Sequence, residues 1–279
     1  MSSYLKSALK KSLPKSALRW RTRKVLKSGM EPDLYLLANI KKYLSGIQGG
    51  EKFLDYFSKE QSAIDVGACG GEYSYVMSSM FGKVLSIEPT EDMAVWLRSA
   101  LPRNCKLVKC AIGATVGEVS IRVPKINGVR MNALSTVADH SFELSMVNAI
   151  DTHVVKQLTI DRLASEAEVR PSFLKIDVEG YEGNVLLGSR NVIELYKPVI
   201  MIEIEKRHNT AFDDIFKLLG SQGYVPFHFY GGKLTLSGPR IVEESFDYLE
   251  RNGISGMMEV ISTKVSEKYL NNFIFVPLS

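Results

Sequence analysis

Cysteine is scarce in this sequence and badly placed for cross-links or metal ligation. Cys69, Cys105 and Cys110 are odd in number and lack paired metal-ligand spacing. Cys105 and Cys110 stand an odd step apart and would face opposite sides of a strand, so free thiols in a reducing compartment are expected. Long apolar runs are missing too. None approaches the roughly 20 residues that span a bilayer, and the N-terminus has no long apolar stretch like a signal peptide. The expectation is a soluble cytoplasmic protein, or one bound peripherally to a membrane. Acid is absent from residues 1–30, which hold nine Lys or Arg. Removing these nine from the 35 basic residues leaves 26 against 31 acids, so the net charge of +4 describes a head and not the whole molecule. That distribution argues against a nucleic-acid partner.

What is present is enough for a full core. With 279 residues, 45% apolar and 24% charged, the chain can form one large domain with an added arm. In the head, Leu5, Leu9, Leu13 and Leu18 recur at near-helical spacing, interrupted by Pro14. Such a basic amphipathic helix can lie on anionic lipid, act as an organelle presequence, or pack on the domain or a partner. A second helical stretch, Pro32 to Tyr43, precedes the Gly46 to Gly50 break and would cap the main domain. Residues 1–50 therefore read as a basic helical arm and cap, and 51–279 as the principal domain. A homodimer is compatible with this layout.

From residue 51 onward, short apolar runs alternate with helix-like segments, the pattern of a parallel sheet covered on both faces. The strand candidates are Ser62–Val66, Lys83–Ile87, Lys106–Cys110, Ser172–Ile176, Val199–Glu203, Val225–Tyr230 and Phe273–Val276. They predict an α/β fold with a doubly wound, mostly parallel seven-stranded sheet of Rossmann-like type. A long insertion, Gly113 to Asp161, separates the third and fourth strands, and within it Glu118–Val123 alternates like an antiparallel strand.

In "AIDVGACGGEYSYV" a buried strand ends at Asp65 and Val66, Gly67, Gly70 and Gly71 make a turn, and a helix follows from Tyr73. Glycines let backbone approach a ligand, and open α/β sheets bind ligands at the carboxyl ends of their strands. A dinucleotide pyrophosphate would call for G-x-G-x-x-G and no nearby carboxylate. Here the spacing fails and Asp65 and Glu72 flank the turn. A ligand with an ammonium and a sulfonium suits these acids better, and S-adenosylmethionine is such a ligand. Glu88 ends the next strand in "KVLSIEP", where an acid can accept bonds from ribose hydroxyls. Cys110 and Ala111, closing the third strand, would flank the adenine.

The stretch "FLKIDVEGYEGNVLLGSRNVIELYKPVIMIEIE" reads as strand, acidic turn, helix and strand. With "IDVGACGG", "SIEP" and "LTIDRL", it resembles the FkbM family of S-adenosylmethionine-dependent methyltransferases over about residues 60 to 206, and the terminal "NNFIFVP" is similar as well. The resemblance implies a methyltransferase domain over 51–279 that O-methylates a hydroxyl-bearing small molecule, sugar, glycan or glycolipid. It makes Asp65, Gly67, Gly70 and Glu88 cofactor contacts, with Ala68, Tyr73 and Pro89 beside them, and puts Asp177 and Glu179 at the reacting end.

Methylating a hydroxyl requires in-line positioning and a base for its proton. The candidates are Asp177, Glu179, Glu203 or Glu205, and His208, with Asp177 and His208 favoured. Asp177 could instead hold the cofactor's amino group, and His208 could simply start a helix capped by Asn209 or Thr210. Asp177 and Glu203 could bind a divalent cation, but with no obvious third ligand no metal is expected. His228, flanked by Phe227 and Phe229, is expected at a surface or pocket rim. Asn127, Arg130, Asn132 and His140 make the insertion a candidate acceptor cradle. Two other functions compete: a nucleotide-dependent oxidoreductase on a similar sheet, disfavoured by the glycine spacing, and a non-catalytic membrane or partner adaptor working through the basic head.

Overall fold

The computed structural model describes residues 32–139, 147–209, 211–251 and 270–278. The basic head, His140 and Thr210 lie outside these residues. Two short helices, α1 (Pro32–Ala38) and α2 (Ile40–Leu44), lead into β1 (Ser62–Val66), α3 (Glu72–Met80), β2 (Lys83–Ile87), α4 (Glu91–Ala100) and β3 (Cys105–Val108). The insertion carries β4 (Ala111–Ile112), β5 (Gly117–Ile126), β6 (Val129–Arg130) and β7 (Val147–Leu158). Then come α5 (Ile160–Glu166), β8 (Pro171–Ile176), α6 (Glu182–Leu187), α7 (Arg190–Tyr196), β9 (Val199–Glu203) and α8 (Phe212–Ser221). The last elements are β10 (Tyr224–Tyr230), β11 (Lys233–Leu236), α9 (Pro239–Arg251) and β12 (Asn272–Pro277).

The main sheet runs β11-β10-β12-β9-β8-β1-β2-β3. The five strands from β9 to β3 are mutually parallel, and β12 is antiparallel to both β9 and β10. From β1 the chain winds outward through β2 and β3, then returns to β8 on the other side of β1. The gap between β1 and β8 is therefore the topological switch point, where open α/β sheets bind ligands.

Strand periodicity builds a core on each face. Ala63, Val84, Phe173 and Val199 pack with Leu34, Leu37 and Ile40 of α1 and α2 and Val76 and Met77 of α3. Their neighbours Ile64, Leu85, Leu174 and Ile200 pack with Leu163, Val185, Val192 and Ile215 on the helices of the opposite layer. Asp65, Lys175 and Glu203 share the parity of the first set, so all three face the layer of α1 and α3. Phe57, Phe81 and Phe173 form a ring cluster at the base of that layer, with centroids 5.5 to 5.9 Å apart.

The doubly wound α/β expectation holds, with corrections in detail. The main sheet has eight strands and not seven, because β11 adds an antiparallel edge to β10. The third strand stops at Val108, and Ala111–Ile112 pairs instead with β7. The helix expected over Pro32–Tyr43 is broken at Asn39, whose Nδ2 donates to the Tyr35 carbonyl. The insertion is a second sheet, β4-β7-β5-β6, built on a long antiparallel pair from Gly117↔Gln157 to Ile126↔Val147. Asn127 belongs to its turn: Asn127 and Gly128 have φ of 51° and 76°, as a two-residue hairpin loop requires. His228 is buried, not at a rim, on a strand paired along both edges, by β12 and by β11. No helix among the described residues is long and apolar enough to cross a membrane.

Candidate active site

At the end of β1 the backbone turns through Gly67 at φ +80°. A Cβ there would stand 1.8 Å from the Asp177 carbonyl oxygen, so only glycine fits. The turn is pinned at several points. Gly67 and Ala68 amides donate to the Ile87 carbonyl, and Trp96 Nε1 donates to the Gly70 carbonyl at 3.0 Å. Cys69, at φ +42°, donates its amide to Glu88 Oε2 at 3.0 Å. Glu88 Oε1 accepts from the Thr90 amide at 2.8 Å and its hydroxyl at 2.5 Å. Burial raises the Glu88 pKa, and the Thr90 and Cys69 donors oppose it.

Asp65 lies beneath this turn with no solvent exposure. Its Oδ2 accepts from Ser74 Oγ at 2.6 Å, and Lys175 Nζ stands 3.8 Å from Oδ1. Lys175 is itself buried, 2.9 Å from Asp177 Oδ2, and 4.6 Å from the Tyr73 ring centroid. Burial opposes the lysine charge, yet Asp177 and Asp65 together hold its pKa above the ordinary value. Among the residues expected at the cofactor, Asp65 has no exposed surface. Of the other residues expected at the cofactor, Ala68, Gly70, Glu88, Cys110 and Ala111 are buried, whereas Gly67, Tyr73, Pro89 and Asp177 are half-buried.

Beyond β8 the chain reverses through two left-handed residues, Glu179 (φ 53°) and Gly180 (φ 98°). That reversal brings all four expected catalytic residues together. His208 Nδ1 lies 3.0 Å from Glu179 Oε2 and 3.4 Å from Glu205 Oε2. Arg207 Nε also binds Glu205 Oε2. Glu203 hydrogen-bonds Asp177. Burial pushes Asp177 up, but Lys175 and the Glu203 bond outweigh it and hold Asp177 below its ordinary value. Burial, then the Asp177 charge, pushes Glu203 well above its own. Asp177 therefore favours its charged form and Glu203 its neutral one. Glu182, which opens α6, is buried and raised to about 7 by burial first and then by Glu179 and Asp177.

Asp177, Glu179 and Glu203 each offer an oxygen within 4.8 Å of the others, so the fold brings Glu179 to the pair of acids that the sequence set beside each other. Lys175 and Asn271 already donate to two of the three. Sequence reasoning missed Lys175, Asn271, Asn272 and Asp33. Lys175 was detectable as the lone charge in an otherwise apolar strand. Asn271 Nδ2 donates to both Glu203 and Glu205, and Asn272 Nδ2 donates to Asp33 Oδ2 at 3.0 Å. Burial and the Asp177 charge raise Asp33 to about 6. The insertion closes over this end: Thr136 Oγ1 donates to the Glu179 carbonyl at 2.7 Å, and Arg130 Nη1 meets Asp92 on α4 at 3.0 Å.

The family model of the methyltransferase FkbM domain matches residues 65–226, more than half of the chain, from the glycine turn to β10. The chain belongs to the FkbM methyltransferase family. The matched FkbM segment contains the glycine turn, Glu88, the acidic reversal and His208, while Asp33, Asn271 and Asn272 come from outside it. Among solved structures, the FkbM methyltransferase of Methylobacillus flagellatus is 17% identical, with a TM-score of 0.46 over 78% of this chain and 44% of that one. This FkbM chain therefore spans less than half the length of that protein. A SAM-dependent methyltransferase from Thiobacillus denitrificans, in complex with S-adenosyl-L-homocysteine, is 12% identical, with a TM-score of 0.38 over 88% and 90% of the two chains. One from Geobacter sulfurreducens, also with S-adenosyl-L-homocysteine, is 10% identical, with a TM-score of 0.35 over 88% and 97%. No curated protein matches the chain.

Proposed function

We propose that this protein is an S-adenosylmethionine-dependent O-methyltransferase acting on a hydroxyl of a small molecule or glycan. The observation that carries the reading is the meeting of the Gly67 turn with the Asp177, Glu179, Glu203 and His208 cluster at the β1/β8 switch point.

The donor set fits the cofactor. Asp65, Glu88 and Asp177 surround a turn whose following helix starts on Glu72, so the field there favours a cation and disfavours a pyrophosphate. Glu88 accepts three hydrogen bonds and as a carboxylate has about four acceptor sites, leaving capacity for a ribose hydroxyl. Gly67, Tyr73, Pro89 and Asp177 would face the ligand, with Ala68, Gly70, Cys110 and Ala111 shaping the cleft behind them. Asp65 acts at one remove, through Lys175 and Ser74. When bound, the cofactor supplies an electrophilic methyl group.

This chain's own residues handle the acceptor and its proton. His208 Nδ1 faces two carboxylates, which favours the Nδ1–H tautomer and places the lone pair on Nε2. Nε2 is then the base for the acceptor hydroxyl, and Glu179 and Glu205 stabilise the imidazolium that forms. Asp177, kept ionised by Lys175, is placed for the cofactor's ammonium. The insertion supplies the acceptor cradle, with a peripheral membrane contact through residues 1–30 as an added means of reaching a lipid-linked acceptor.

Calorimetric titration with S-adenosylmethionine, S-adenosylhomocysteine and a nicotinamide dinucleotide tests the cofactor, and a screen of sugars, glycolipids and hydroxylated metabolites for methyl transfer tests the reaction. Binding of the first two ligands with turnover of a hydroxyl acceptor is expected. Tight dinucleotide binding with none of S-adenosylmethionine would overturn the proposal.

A further inference from the structure

Glu203 closes β9 and Glu205 lies two residues beyond it, and β12 is the next strand of the sheet. The residue just ahead of that strand, Asn271, meets them. Its Nδ2 donates to Glu205 Oε1 at 2.9 Å and to Glu203 Oε1. The amide is held in place from its other side, where Oδ1 accepts from Asn272 Nδ2 at 3.2 Å. The Asn271 carbonyl accepts from the Ile204 amide at 2.6 Å, between the two acids. Asn271 is buried, and every polar group it carries toward β9 is engaged.

We propose that Asn271 is a positioning residue for the base of this site: its NH2 group, bonded to both acids, fixes the Glu205 carboxylate so that Oε2 lies against His208 Nδ1. The inference rests on the methyltransferase reading above. An amide suits the task because it offers two donors in a fixed plane and has no proton to give up. With the amide present, each acid keeps a separate partner set. Glu203 faces Asp177, which Lys175 balances. Glu205 keeps Asn271 on Oε1, and Arg207 and His208 on Oε2. Glu179, across from His208, completes the ring of charged groups around the imidazole. The chain of contacts runs from Asn271 to Glu205 to His208, so the amide acts on the imidazole through its orienting carboxylate, as outer partners of a functional histidine do.

The test uses the full chain with Asn271→Asp, which keeps the shape and removes the donors, and Asn271→Ser, which is smaller and keeps one. Turnover of an acceptor found by the screen, cofactor affinity, thermal unfolding and the 15N resonances of His208 (assigned with His208→Gln) are measured for each. We expect kcat to fall about tenfold or more in Asn271→Asp and less in Asn271→Ser. Cofactor affinity stays within about threefold, and His208 loses its Nδ1–H preference in the order of the kcat losses. A wild-type His208 signature with wild-type kcat in Asn271→Asp overturns the proposal. So does a kcat loss that follows thermal stability alone while the tautomer is unchanged. Failure of the parent reading is separable: it would appear as no cofactor binding by the unmodified protein, and the tautomer comparison still decides the role of Asn271.

Discussion

Gly67 and Asp177 touch across the β1/β8 switch point so closely that a single added methyl group would lie 1.8 Å from the Asp177 carbonyl oxygen. Gly67→Ala would also place a side chain at φ +80°. The two effects together should cost about 3 kcal/mol of stability. Cofactor binding should be lost with them, because the turn and the acidic reversal move together. Chemical denaturation and calorimetry on the variant check both, and near-native values in either would show that the contact is relaxed in solution.

His208 sits with Nδ1 between two carboxylates, and as the base it should dominate the chemical step. His208→Gln is expected to lower kcat by about 10² to 10⁴ while leaving cofactor affinity within a factor of about two. A variant that turns over at the wild-type rate would move the role to Asp177.

Glu182 is neutral in the fold at pH values where the unfolded chain ionises it, since burial raises it from 4.5 to about 7. Its contribution to stability is complete below about pH 4.5 and is lost as pH rises through about 7. Glu182→Gln removes that titration and keeps an oxygen for the Gly180 amide. Relative to wild type, the variant should gain on the order of 1 to 3 kcal/mol between pH 5 and pH 8. Urea unfolding at the two pH values measures this, and an identical difference at both would contradict the assigned cause.

Arg130 ties the insertion to α4 through Asp92 and to β7 through Asp151, with both pairs partly exposed. Pairs of that kind contribute about 1 kcal/mol or less, so Arg130→Ala should change thermal stability little. If the insertion is the acceptor cradle, Arg130→Ala and Asn132→Ala will raise the acceptor KM with cofactor affinity intact. Unchanged acceptor affinity in the double variant would rule the cradle out.

Much of the sheet was legible because strands buried on both faces read as continuous apolar runs. The bounds of β1, β2 and β9 emerge without error from Ser62–Val66, Lys83–Ile87 and Val199–Glu203. β7 was not legible, since Asn148 to Val154 alternates with nearly every residue open to solvent and carries no amphipathic signal. Two local cues went unused: Asn127–Gly128 and Gly231–Gly232 are both hairpin turns. In the site, Asp177, Glu179, Glu203 and His208 were readable as polar residues after buried strands. Their partners were not, because Asn271 and Asp33 reach them only through the order of strands in the sheet. Asp33 and Asn272 are 239 positions apart, and no local pattern connects them.

The placement of β12 between β9 and β10 has a consequence for how the protein is made. Chain order puts β9 and β10 ahead of β12, yet neither can join the other until the strand that bridges them has been made. Until residues 272–277 emerge, β9 and β10 each present an open edge, the form of backbone most prone to pairing with other chains. The same late segment delivers Asn271 to Glu203 and Glu205. Completion of the sheet and of the acidic cluster are therefore one event, and chaperone dependence should concentrate in the interval before residues 272–277 emerge.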